Sequence, residues 1–481
     1  MKAVIEDIRK LFTSHSNGTV ESIEKIPQSG SDRIYFRLKS SDGSFIATYG
    51  KNIRENKTFI NFSHHFKKSD SPVPTIFFVN DEQSIYIQED FGDTSLLNIL
   101  EIEGYTDHVF ELFRQSLKKL AYLQIAGHKN LDYSWSITSR EFGKQAILSD
   151  LLYFKYYFLD TLKIPYDKEK LIDDFDALSS YLTRVEHKYF MFRDFQSRNV
   201  MVKDDKVHFI DYQGGMKGAL QYDVASLLWQ AKAELSDEWK NSLLDYYIDC
   251  AEELLRKPID RIRFVSQFNG YVLIRLLQVL GAYGFRGVFE RKAHFLTSIP
   301  LALRNMKWFL LNKHTGIVLP EFERVLHLIV EDEIIHRFEP LQATALTPLV
   351  VKVNSFSFIK TGYPEDTSQH GGGFVFDCRG ILNPGRIEEF KALNGRDKSV
   401  KDFLEQTKMP EFLNGVYTIV DIAVEDYIHR GFDALTINFG CTGGCHRSVY
   451  AADAVVRHLR NKFNVKIILN HIEQNIYEVK G

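Results

Sequence analysis

The sequence predicts an α+β domain of two lobes, followed by an α/β domain with a Gly-rich strand-loop-helix anion site. Three observations carry this. Residues 20–95 alternate short apolar runs with turns, whereas from about residue 96 apolar side chains recur at i, i+3 and i+4. At Leu349 the rhythm changes again, to strands alternating with helices. Between these blocks, the hairpin from Tyr189 to Gly214 gathers acidic and amide side chains, and a later turn, Gly440 to Ser448, joins an apolar run to a helix start. The boundaries expected are 1–95 for the first lobe, 96–340 for the helical second lobe, 341–348 for a linker, and 349–481 for the last domain.

A chain of 481 residues with 44% hydrophobic and 26% charged residues has material for two or three soluble domains. A formal net charge of −3 offers no electrostatic reason for nucleic-acid binding. The N-terminal MKAVIEDIRKLF reads as a charged amphipathic helix rather than a signal peptide, and no apolar run reaches membrane-spanning length. Cys250, Cys378, Cys441 and Cys445 make no metal framework and suit free thiols in a reducing cytoplasm.

Taken in order, VESIEKIP and QSGSDRIYFRL are strands joined through Ser29, Gly30 and Ser31. A Gly between serines suits a plain β-turn, or a loop whose backbone N–H groups cover phosphates. SFIATYG follows an Asp42-Gly43 turn and carries no Lys; Lys51, just after it, is the nearest cation. RENKTFINFSHHFKKS reads as a helix burying Phe59, Phe62 and Phe66, and Ile85 to Ile87 as a buried strand running into Gln88, Glu89, Asp90 and Phe91. The helical block includes DHVFELFRQSLKKLAYLQIAG and the aromatic stripe Tyr153, Phe154, Tyr156, Tyr157 and Phe158, suited to core packing or, less simply, to stacking a sugar. Later helices carry Arg275 and Arg286, either structural charges or part of an acceptor pocket. HRFEPLQATALTP reads as the linker.

In the hairpin, Val200 to Val202 and Val207 to Ile210 pair across a polar turn, which brings Asn199 beside Asp211, with Asp194 facing the same volume. Two carboxylates and an amide oxygen there suit a hard cation, a base and a phosphoryl group. With the helix GALQYDVASLLW that follows, the segment FRDFQSRNVMV…IDYQG…YDVASLL resembles the aminoglycoside-phosphotransferase-like kinases, which share a protein-kinase-like fold. Within these it is most similar to the anomeric kinases of N-acetylmuramate and N-acetylglucosamine from cell-wall recycling. The resemblance implies ATP and Mg2+ as cofactors, Asp194 as the catalytic carboxylate, Asn199 and Asp211 as metal ligands, and Asp223 as the brace of the catalytic loop. It also implies that Ser29, Gly30 and Ser31 cover the phosphates and that the bend at Glu89 and Phe91 contacts the adenine. Phe192 and Gln196 stand where the family carries His, departures expected to alter packing and bracing of the loop.

In the last domain LVVKVNSFSFI, GGGFVFDCRGILNPG, FDALTINFGC and VKIILNHIE read as strands. The loop from Gly440 to Ser448 points backbone N–H groups at a common centre, where Arg447 and the helix dipole favour an anion. The spacing Cys441, five residues, Arg447, Ser448 is also that of cysteine-dependent phosphatases, with Cys441 as a possible thiolate, although Gly440 replaces their usual His. The wider pattern NSFSFIKTGYP…FDCRGILNPG…GCTGGCHRSV resembles the C-terminal domain of the RNase adapter protein RapZ, which senses glucosamine-6-phosphate. That resemblance implies phosphosugar contacts from Thr442, Gly443, Gly444, His446, Arg447 and Ser448, with Asp377 and Arg379 nearby. The function expected is a cytoplasmic ATP-dependent sugar 1-kinase with a phosphosugar-binding module. The alternatives are a kinase of another small alcohol or an aminoglycoside, and a non-catalytic sensor of nucleotide and glucosamine-6-phosphate.

Overall fold

The computed structural model describes residues 2–26, 32–289, 298–339, 343–344, 346–365 and 373–480. They divide into two compact units, one built from residues 2–285 and 298–335, the other centred on residues 336–480. Of the expected linker, residues 341, 342 and 345 lie outside the described set.

The first unit begins with α1 (Lys2–His15) and a five-stranded antiparallel sheet of β1 (Val20–Lys25), β2 (Ile34–Ser40), β3 (Gly43–Tyr49), β4 (Ile76–Val79) and β5 (Ile85–Glu89), in the order β1-β2-β3-β5-β4. Strand alternation gives this sheet two faces. Ile85 and Ile87 pack with Ile8, Leu11 and Phe12 of α1, whose i, i+3, i+4 spacing makes the helix amphipathic. Tyr86 faces the other way, against α2 (Ile53–Lys68), where Phe59 stacks on it at 5.4 Å and on Tyr212 at 4.8 Å. Phe66 meets Phe190 at 4.7 Å. The three phenylalanines of α2 are buried as their spacing predicts, and they tie the first lobe to the second. Each fully buried ring contributes roughly 1.5–3 kcal/mol.

The second lobe contains α3 (Leu96–Glu103), α4 (Asp107–Ile125), α5 (Lys144–Tyr157), α6 (Lys168–Leu182), α7 (Leu220–Leu228), α8 (Asp237–Leu255) and α9 (Arg261–Tyr283). Ser95 and Asn98 close a capping box on α3, and Thr106 caps α4. Two short strand pairs cross the lobe. The first, β6 (Lys188–Met191) with β9 (Met216–Ala219), is not apparent in the sequence, because four-residue strands show no usable period. The second, β7 (Val200–Lys203) with β8 (Lys206–Phe209), is the anticipated hairpin, turned through Asp204 and Asp205 at φ 51° and 55°. The aromatic stripe divides: Phe154 and Phe158 are fully buried, while Tyr156 is exposed.

The second unit is a sheet in the order β11-β12-β10-β13-β14: β10 (Val350–Ser357), β11 (Gly373–Asp377), β12 (Ala434–Cys441), β13 (Lys466–His471) and β14 (Ile476–Lys480). The first four run parallel, and β14 returns antiparallel along β13. Helices Met409–Arg430 and Arg447–Phe463 share its core through Val416, Val420, Val424, Val455 and Leu459. Neither the first of these helices nor β14 is among the elements expected from sequence. Among the described residues no helix is long and apolar enough to cross a membrane.

Candidate functional site

The candidate site of the first unit is built where β6 and the β7–β8 hairpin end. Asp223, fully buried on α7, accepts the backbone N–H groups of Phe192 at 2.7 Å and Arg193 at 3.0 Å, and Gln124 Nε2–H at 2.8 Å. Tyr247 donates to Gln124 Oε1 at 2.5 Å, so α4, α7 and α8 jointly hold the loop. Burial pushes the Asp223 carboxyl up to about 7, against the pull of its N–H donors. The brace holds Arg193 at φ 81°, a left-handed conformation unfavourable for its side chain. Arg193 is further fixed by Asp150 at 2.7 Å and Tyr222 at 2.9 Å.

Beyond this strained residue, Asp194 presents a carboxylate whose side chain is 44% exposed, with Arg275 Nη1 at 3.4 Å from Oδ1. Arg275 is itself buried on α9, so the structure sets it beside the carboxylate. Asn199 donates to the Asp194 carbonyl at 2.9 Å, and its Nδ2 lies 3.4 Å from Asp211 Oδ2. Asp211, at φ 71°, also accepts from Gln213 at 3.0 Å. Asp194, Asn199 and Asp211 are therefore gathered as the hairpin predicts. Among the described residues no three His, Cys, Asp or Glu side chains form a metal cage. One carboxylate and one amide fit a Mg2+ that keeps waters and phosphate oxygens as its other ligands.

The remaining expectations fare variously. Ser29, Gly30 and Ser31 lie outside the described residues. Glu89 is committed to the sheet: its N–H goes to the Thr75 carbonyl at 2.9 Å, and its carboxylate accepts from Thr75 N and Oγ1 at 3.1 Å. Phe91 is buried and stacks on His208 at 4.1 Å. Phe192 packs under the loop against Phe195 and Tyr212, so the residue in the place of His serves as core while its N–H keeps the bond to Asp223. Gln196 braces through its backbone, its N–H to the Asp194 carbonyl and its own carbonyl to Asn199 N. Lys51 is exposed. Arg33, unremarked in the sequence, lies instead at the cleft, with Nη2 2.7 Å from Asp211 Oδ1 and Nε 3.3 Å from Glu55 Oε1.

In the second unit the loop after β12 wraps around Cys441. Its Sγ accepts the Gly444 N–H at 3.2 Å and meets Ser448 Oγ at 3.2 Å. Gly444 has φ 68°, and a Cβ there would meet Glu473 Cγ at 2.3 Å, whereas a Cβ on Gly443 would meet open space. Ser357 Oγ donates to the Thr442 carbonyl at 2.7 Å. Arg447 is buried, and its Nη1 donates to the carbonyls of Arg379 at 3.0 Å and Ile381 at 2.9 Å. Its Nη2 lies 3.4 Å from Thr442 Oγ1, and its Nε is buried with no protein partner. These two nitrogens form one edge of the guanidinium, the edge suited to a bidentate anion. His446 is bonded through Nε2 to the Phe390 carbonyl at 2.9 Å. Asp377 and Arg379 pair with each other at 2.7 Å, and Arg379 lies 4.2 Å over the Phe358 ring. A Cβ on Gly440 would collide with Phe356 and Phe358, so ring packing excludes a larger residue before Cys441.

Residues 22–257 match the phosphotransferase enzyme family, and residues 349–475 match the RapZ C-terminal domain. The chain carries both domains. Among curated proteins, a nucleotide-binding protein of Fervidobacterium nodosum is 40% identical over 123 residues, 25% of this chain and 41% of that protein. One of Desulforapulum autotrophicum is 40% identical over 138 residues, 28% of this chain and 45% of that protein. The chain thus spans less than half the length of these relatives. Among solved structures, choline kinase LicA from Streptococcus pneumoniae is 13% identical with a TM-score of 0.41, covering 63% of this chain and 97% of its own. Choline kinase from Cryptosporidium parvum Iowa II is 15% identical with a TM-score of 0.45, covering 64% and 96%.

Within the phosphotransferase domain, sequence reasoning missed Arg33, Gln124, Asp150 and Tyr247. Only Arg33 carried a signal, as a charge directly before an apolar strand. In the RapZ C-terminal domain it missed Ser357, which ties β10 to the Gly-rich loop after β12.

Proposed function

We propose that this chain is an ATP- and Mg2+-dependent kinase of the anomeric hydroxyl of an amino sugar, N-acetylmuramate or N-acetylglucosamine, acting in cell-wall recycling in the cytoplasm. Its RapZ C-terminal domain binds an amino-sugar phosphate. The observation that carries the proposal is the half-exposed Asp194 carboxylate, reached by Arg275 and linked through Asn199 to Asp211. ATP with Mg2+ supplies the transferable phosphoryl group and the charge that stabilises its departure. Asn199 and Asp211 would hold the metal. Asp194 accepts a hydrogen bond from the acceptor hydroxyl, aims its oxygen at phosphorus and takes its proton as transfer proceeds. Asp223 keeps this geometry by holding the backbone N–H groups on both sides of Phe192.

The buried guanidinium beside Asp194 supports a neutral or anionic acceptor over a polycation such as an aminoglycoside. In the second domain, the Nε–Nη2 edge of Arg447 and the open side of Gly443 support a phosphate between them. The test is phosphoryl transfer from ATP to N-acetylmuramate, N-acetylglucosamine, glucosamine, choline and kanamycin, with phosphorus NMR to locate the new phosphate. An anomeric phosphate formed by the wild type and not by Asp194→Asn is expected. Transfer to choline or kanamycin alone would overturn the sugar assignment. ATP binding with no transfer would leave a sensor of nucleotide and phosphosugar.

A further inference from the structure

A nucleotide triphosphate concentrates negative charge, and a kinase cleft needs a fixed cation beside the metal to receive it. The central strand β3 supplies none: its sequence is GSFIATY, and the fully buried Thr48 sits between Tyr35 of β2 and Tyr86 of β5. The cation arrives from another direction. Arg33, immediately before β2, carries its guanidinium 5.6 Å over the Tyr35 ring and close to Tyr86, so its charge comes to rest above the Thr48 position of the sheet. There it is gripped by Glu55 of α2 and by Asp211, with 5% of its side chain exposed. Glu55 lies in the first turn of α2, which Asn52 caps through the Glu55 N–H, so this carboxylate is set by a fixed helix end.

We propose that Arg33 is the phosphate clamp of the nucleotide site, turning from Asp211 to the phosphates of the bound nucleotide while Glu55 keeps its grip. Two carboxylates, Glu55 and Asp211, share Arg33 in the structure. Asp211, which would also hold the metal, would then release the guanidinium, and a phosphate oxygen would take its place as the acceptor of the Nη2–H. The Asp211 contact thus parks the clamp, and Glu55 positions it. The clamp rests on the phosphotransferase reading and adds which side chain recognises the phosphates.

The experiment is calorimetric titration of the full chain, in Mg2+ and without acceptor, with ATP, ADP and adenosine. Arg33→Met is expected to weaken ATP and ADP by about 10- to 100-fold, the worth of one charge-assisted pair, while adenosine binds as to the wild type. Should Arg33→Met not fold, the ATP-to-adenosine ratio is read on Arg33→Lys and Glu55→Gln. Arg33→Lys keeps the charge but loses the fork, and should fall between wild type and Arg33→Met. Equal losses for ATP and adenosine would make Arg33 structural and overturn the clamp, as would unchanged ATP affinity in folded variants. A wild type that binds none of the three would overturn the phosphotransferase reading and the clamp with it.

Discussion

Replacing Asp223 by Ala should change the pH dependence of stability with a sign the structure dictates. The carboxyl is fully buried, with a folded pKa of about 7 against about 3.9 for an unfolded Asp. Between these values the folded chain holds the proton and the unfolded chain releases it. Stability from this group therefore falls as pH rises from about 4 to about 7 and is flat above. Three units correspond to about 4 kcal/mol in all, about 3 kcal/mol of it between pH 5 and pH 8. Asp223→Ala removes that decline but strands three donors, Phe192 N, Arg193 N and Gln124 Nε2, at about 1–3 kcal/mol each. At pH 8 the two effects partly cancel, so the variant should be destabilised only modestly yet lose transfer, because the backbone brace on Phe192 and on Arg193 at φ 81° is then gone. Urea unfolding followed by Trp fluorescence isolates the domain, since Trp135, Trp229, Trp239 and Trp308 all lie in the first unit. The stability difference between wild type and Asp223→Ala should shift by about 3 kcal/mol between pH 5 and pH 8. A difference constant with pH would refute the reasoning. So would a variant with full activity.

Other outcomes follow from the same geometry. Asp194→Asn should cut transfer by about 10²- to 10⁴-fold and leave ATP affinity unchanged by calorimetry, since it alters the proton acceptor and no metal ligand. Tyr247→Phe removes the donor to Gln124 Oε1 and should cost about 1 kcal/mol of stability in the urea assay, with a smaller loss of activity than Asp223→Ala. Burial and nearby lysines hold His208 down to about 4, so its protonation favours the unfolded chain: stability should fall as pH drops from about 6.5 through 4. His208→Phe should flatten that limb in a thermal melt. In the RapZ C-terminal domain, Arg447→Gln should abolish calorimetric binding of glucosamine-6-phosphate. Cys441→Ser should preserve it, and should end any phosphatase turnover that depends on a thiolate.

Much of the site could be read from the chain because its parts are close in sequence. Asp194 and Asn199 flank a single turn, and a hairpin returns the chain to Asp211, so local geometry suffices to bring Asn199 within 3.4 Å of Asp211. The loop from Cys441 to Ser448 is likewise one strand-to-helix turn, and its glycines announce its shape. What stayed hidden depends on distant segments. Gln124 reaches Asp223 from 99 residues away in sequence and is itself held by Tyr247 on a third helix, and no period or motif marks a polar residue that will end in a core. Glu89 illustrates the reverse: at the end of β5, its N–H and its carboxylate are both taken by Thr75, the residue before β4.

By itself, the sequence determined most of the longer elements, the hairpin around Asp194, Asn199 and Asp211, the Gly-rich loop after β12 and the division into two domains, because periodicity and turn chemistry act over a few residues. The tertiary structure alone decided which charges meet. Arg33 and Asp211 are 178 residues apart, and Arg275 and Asp194 are 81 apart. Ion pairs depend on distance in space, and only the tertiary fold, which brings the start of β2 and the middle of α9 to the residues flanking the hairpin, sets those distances.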